Sequence, residues 1–158
     1  MIKLYKRMGP DEIRYHEAWV DRDVVVEHWG AVGSRGATRE HPVDSSLGEG
    51  ASLERVLASA RSQGFVHVTL EEHSVLLVEY AIEGMGSPAD VEQRYRLQDR
   101  LDEILGWVGA GHCDGGSIGS GTMEACCYVV DFAAASSAIA RDLAETEFSH
   151  YSRIYEEA

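Results

Sequence analysis

The residues best suited to chemistry cluster between positions 112 and 150. Gly115-Gly116-Ser117-Ile118-Gly119 satisfies the G-x-S-x-G spacing of a hydrolase nucleophile, and Asp131 and His150 follow in the order Ser, Asp, His. A nucleophile elbow needs a strand before the serine and a helix after it, on a large parallel sheet. Here a helical pattern precedes Ser117 and an apolar strand follows, so a Gly-rich hairpin turn is expected and no catalytic residue is assigned. His112, Cys113 and Asp114, with Cys126 or Cys127 across that hairpin, offer a mixed zinc donor set. The C-x2-C or H-x3-H spacing that marks such sites is missing, and Cys126 and Cys127 read as small hydrophobes in a buried strand. No metal is expected. Gly109 and Gly111 do not continue into G-x-G-x-x-G, and no Walker-type GKS/T exists, so no cofactor is expected either. His16, His28, His41, His67, His73 and His150 show no ligand spacing.

The elements that would carry these residues divide into two halves. In the first, Ile2 to Lys6, Ile13 to Trp19, Val24 to Trp29 and Thr38 to Val43 read as strands, separated by Met8-Gly9-Pro10-Asp11, by Asp21-Arg22-Asp23 and by glycines at 30, 33 and 36. This is an antiparallel meander. Residues 44 to 50 form a loop, after which Leu53, Val56, Leu57 and Ala60 mark one helical face, with Ser52 as a candidate cap and Gly64 past the last turn.

The second half reads as β-α-β-β-α-β. Val75 to Ile82 is an apolar strand, and Ser87-Pro88-Ala89-Asp90 supplies a helix start. Leu97, Leu101, Ile104, Leu105 and Val108 line that helix, with Val91 and Tyr95 extending the stripe. A short strand and turn in the Gly-rich stretch, then Ala125 to Val130, a helix capped by Asp131 and carrying Ala135, Ile139 and Leu143, and a last strand from Phe148 to Tyr155 complete a ferredoxin-like order. The predicted fold class is α+β: an antiparallel sheet with one helix over residues 1–70, then an acidic ferredoxin-like domain over 74–158. Both predicted central strands are apolar on both faces. The face without helices therefore needs a cover, either the N-terminal half or a second copy of the chain.

Charge follows the same division. Residues 1 to 70 hold nine basic and ten acidic side chains, a balance of −1, whereas residues 71 to 158 hold five and seventeen, a balance of −12. Such a field repels phosphate backbones and anionic lipid and favours basic partner surfaces. Of 158 residues 44% are hydrophobic, enough for a core, and no apolar run is long enough for a membrane span. With no secretory pattern at the start and three cysteines, a reduced cytoplasmic protein is expected.

Trp29-Gly30-Ala31-Val32-Gly33-Ser34-Arg35-Gly36-Ala37-Thr38, with the meander before it, the helix of residues 51 to 63 and Gly64-Phe65, resembles the WGR domain of poly(ADP-ribose) polymerases and many short bacterial proteins. Trp29, Gly30, Val32, Gly33, Gly36, Gly64 and Phe65 match the family pattern; Ala31 stands where the family carries its defining Arg. The resemblance spans residues 1 to about 70. It implies a module that touches DNA ends and neighbouring domains through the Trp and nearby basic residues, which here are Trp29, Arg35 and Arg39. Because Ala31 lacks the guanidinium and the second half is anionic, weak or no nucleic-acid binding is expected. The function expected from these features is a non-enzymatic macromolecular interaction protein with a protein partner and no membrane. A homodimer through the open sheet face is one assembly it allows. The alternative is an immunity or inhibitor protein that neutralises a basic toxin or nucleic-acid enzyme through its acidic face.

Overall fold

Four short hairpin-linked segments build the first sheet. In the computed structural model, which describes all 158 residues, β1 (Ile2–Gly9), β2 (Glu12–Asp21), β3 (Val24–Ala31) and β4 (Ala37–Pro42) pair antiparallel in sequence order. The β2–β3 turn is tight, with Arg22 at φ 55°. α1 (Glu49–Ser62) crosses one face and seats Leu53, Leu57 and Ala60 on Leu4, Ala18 and Val25. It ends as its sequence suggests, at Gly64 with φ +92°, a conformation that favours glycine. Its start differs from expectation. The helix begins at Glu49 with Gly48 at the N-cap, so Ser52 lies inside it, 1% exposed, with Oγ unpaired.

The second sheet contains β5 (Ser74–Ala81), β6 (Gly111–Gly119), β7 (Thr122–Val129) and β8 (Arg153–Glu156), ordered β6-β7-β5-β8 with every neighbour antiparallel. α2 (Pro88–Trp107) and α3 (Phe132–Leu143) connect its strands, which is the split β-α-β arrangement. Each helix starts on a side-chain cap. Ser87 Oγ accepts from Asp90 N while the Asp90 carboxylate takes the Ser87 backbone N–H, and Asp131 Oδ1 accepts from Ala134 N at 2.8 Å. Leu97, Leu101 and Leu105 of α2 and Ala135, Ile139 and Leu143 of α3 close over Leu76, Val78, Ala125 and Cys127 in a core of 18 buried residues.

Two expectations for this half need correction. Tyr95 does not extend the stripe; it is 55% exposed, with the Arg94 guanidinium 5.1 Å from its ring. The last strand is Arg153–Glu156, because Phe148 turns into the core and its carbonyl accepts the Tyr80 hydroxyl at 2.7 Å. The open sheet face also departs from the sequence picture. Val75, Cys126 and Tyr128 are half-buried there, and only Leu77 is buried. Edge side chains lie along this face: Arg153 stacks 3.9 Å from the Tyr155 ring centroid and pairs with Glu79, and Tyr155 donates to Glu124.

The N-terminal unit docks elsewhere, on the C-terminal end of α2 and along α3, from Ala134 to Arg141. Gly33 N donates to Val108 O at 2.9 Å, and Arg141 donates to Gly33 O at 3.1 Å. The Tyr15 ring lies against Gly109, which has φ +62°; a Cβ at that position would come within 2.1 Å of Tyr15 Cδ1. The first sheet thus has α1 on one face and the C-terminal unit on the other.

Candidate functional site

The β2–β3 hairpin pairs Asp21 with Val24, and the same register sets Glu17 opposite His28; the β1–β2 register sets Lys3 opposite Glu17. By the two-residue period of strands, Lys3, Tyr5, Tyr15, Glu17, Trp19 and His28 share the face away from α1. On an isolated sheet that face would be wet. Docking of α2 leaves Glu17 2% and His28 1% exposed. A carboxylate so placed must be paired, since an unpaired buried charge costs several kcal/mol, on the order of 3–5. Glu17 accepts from His28 Nδ1 at 2.7 Å, and its other oxygen lies 2.9 Å from Lys3 Nζ. His28 Nε2 faces the Arg35 carbonyl and sits 3.0 Å from the Tyr15 hydroxyl, which donates to Ser34 O at 2.9 Å. Burial and then the charge of Glu17 hold the Tyr5 and Tyr15 phenols well above their ordinary range, so both remain neutral.

Beside this network a cleft of about 630 Å³ opens between the first sheet, residues 67–73 and the α2–β6 corner. Two indoles, Trp19 and Trp107, meet the His28 ring edge-on at centroid distances of 6.1 and 5.4 Å. Trp107 is 39% exposed and already carries a cation, the Arg35 guanidinium 5.8 Å from its ring. Asp102 and Glu103, from the last turns of α2, also line it, and neither belongs to an ion pair. Asp102 accepts only the Cys113 backbone N–H, at 3.1 Å. The lining therefore sets aromatic faces and two carboxylates that belong to no ion pair beside His67, His73, His112 and a Lys3 already paired with Glu17, an arrangement that can hold a cation.

Of the residues singled out in the sequence, Trp29 and Arg39 come together and Arg35 does not join them. The Arg39 guanidinium lies 5.6 Å from the Trp29 ring on the α1 face, where Trp29 also stacks on His16 at 5.8 Å. On this face Glu27 accepts from both His16 and His41 at 2.7 Å. Burial alone would push the Glu27 carboxyl up, but the two imidazole hydrogen bonds and their charge outweigh it and hold the group below its ordinary value. Arg35 points the other way, to Trp107. Ser117, Asp131 and His150 are likewise engaged separately: Ser117 with Glu124, Asp131 as the α3 cap, and His150 beside Gln93. No group of three or more His, Cys, Asp or Glu is placed to hold a metal ion.

Sequence reasoning missed Glu17, His28, Trp19, Trp107, Asp102 and Glu103 as one site. A signal for the first pair existed, because counting back from the turn at residues 21–23 places Glu17 across from His28. Nothing local connects that pair to Trp107, which docking alone brings near. Comparison of the chain with protein-family models, with curated proteins and with solved structures returned no match.

Proposed function

We propose that the chain is a non-enzymatic interaction protein whose recognition site is the cleft between its two units, and that the cleft takes a basic side chain of a protein partner. The observation that carries this reading is the lining itself: exposed Trp107 and half-buried Trp19 beside unpaired Asp102 and Glu103. Trp107 holds Arg35 against one ring, which illustrates the stacking an incoming guanidinium would use. The surplus of acid over base in residues 71 to 158 supplies long-range attraction for the same kind of partner. That surplus also favours the second reading, an immunity or inhibitor protein acting on a basic toxin or nucleic-acid enzyme, which would use the same acidic surface over a larger area.

A WGR-like N-terminal module fits this role, supported by four antiparallel strands followed by a helix and Gly64. Weak or no nucleic-acid binding goes with it, since Arg35 and Arg39 lie on different faces and cannot grip one phosphate together. Titration of the full chain with short arginine-containing peptides, followed by tryptophan fluorescence, tests the proposal. Saturable, salt-sensitive binding that is lost in the Asp102→Asn/Glu103→Gln double variant is expected. Equal binding by that variant, or tighter binding to duplex DNA than to the peptides, rejects it.

A further inference from the structure

The three thiols play no part in the proposed cleft, yet two of them are arranged for chemistry of their own. The β6–β7 register sets Cys113 directly opposite Cys127, with both on the helix-covered side, while Cys126 turns to the open face. Facing residues of an antiparallel pair have Cα atoms about 4.5–5.5 Å apart. Both limits fall within the roughly 4.4–6.8 Å that a disulfide spans. The ladder shifts register between Cys113 and Gly116, so the strand at Cys113 has an irregular neighbour that can absorb a small adjustment. Cys113 is half-buried and reachable, and Cys127 is fully buried behind it.

We propose that Cys113 and Cys127 are a reversible cross-strand dithiol, with Cys113 the attacking thiol, Cys127 the resolving thiol and hydrogen peroxide the oxidant. The Cys113 thiolate attacks one peroxide oxygen, the O–O bond breaks, and the second oxygen leaves as water after taking a proton. The sulfenic acid on Cys113 is then attacked by the Cys127 sulfur; the S–S bond forms and the hydroxyl departs with the Cys127 proton as a second water. Two electrons pass from the thiol pair to the peroxide, and a dithiol reductant returns them. The Cys113 thiol lies 3.3 Å from the Cys126 carbonyl, the residue before Cys127 on the facing strand. A hydrogen bond from the Cys127 thiol holds the Cys113 thiol below its ordinary range, against burial and the neighbouring Asp102 and Asp114 carboxylates, and a backbone contact at Gly115 assists. The same bond, with burial, pushes the Cys127 thiol up, as a resolving partner that stays protonated until used.

The test is to treat the reduced full-length chain with hydrogen peroxide, alkylate it and map its peptides by mass spectrometry. Two of the three thiols should become unreactive, with Cys113 and Cys127 in one linked peptide that dithiothreitol separates; Cys126→Ser should behave identically. Cys113→Ser should form no internal disulfide. The proposal is overturned if all three thiols stay alkylatable, if the link runs through Cys126, if the product is a covalent dimer, or if Cys113 is over-oxidised without a link.

Discussion

The two sheets are stabilised in different ways. The C-terminal sheet lies under two helices on a core of 18 buried residues, all apolar. The N-terminal sheet has a core of six, and the three buried polar residues of the chain, Glu17, His28 and Ser52, all belong to its unit. One unit is held chiefly by apolar burial, which needs no particular partner geometry. The other closes a polar face against its neighbour and needs every pairing on that face satisfied. The difference teaches where a binding site can arise: the cleft lies beside the face whose burial is conditional, where a few polar groups hold two units at a fixed separation.

The largest effect should come from breaking that conditional face. Glu17→Ala leaves His28 and Lys3 without their shared carboxylate and should cost about 3–5 kcal/mol. Amide hydrogen exchange should then accelerate in β1–β4 and stay slow in β5 and β7. Uniform acceleration would show the two units to be one cooperative block. Leu101→Ala attacks the other side of the comparison and should cost about 2–5 kcal/mol by chemical denaturation, with protection lost first in the C-terminal sheet. An unchanged midpoint would contradict the packing of α2.

The smallest effect concerns the α1 face. The depressed Glu27 carboxyl contributes stability that is present above its ordinary value of 4.5 and lost as pH falls through its lower folded value. The stability advantage of the wild type over Glu27→Gln should therefore be present at neutral pH, about 1 kcal/mol or less for a half-buried carboxylate, and fade as pH falls below 4.5. An advantage that grows as pH falls below 4.5 would reverse the assigned sign.

Much of the fold was legible because local chemistry announces it. Ser87-Pro88-Ala89-Asp90, Asp131 and Gly64 mark helix ends by hydrogen bonds and backbone freedom that reach only a few residues. The apolar runs at 75–82 and 125–130 identified the central strands β5 and β7. Failures came where tertiary contacts override pattern. Phe148 to Tyr155 alternates like a strand, but Phe148 is drawn into the core, and Ser52 loses its capping role because the helix starts a turn earlier. The site was harder still. Trp29 and Arg39 were visible as neighbours of a glycine motif, whereas Glu17, His28 and Trp107 acquire meaning only when residues far apart in the chain meet.

The contact between Tyr15 and Gly109 constrains how this molecule can change over generations. An aromatic ring from one half occupies the space where any side chain on the other half would sit. A swap of either half for an unrelated module would need a newcomer with a matching hollow.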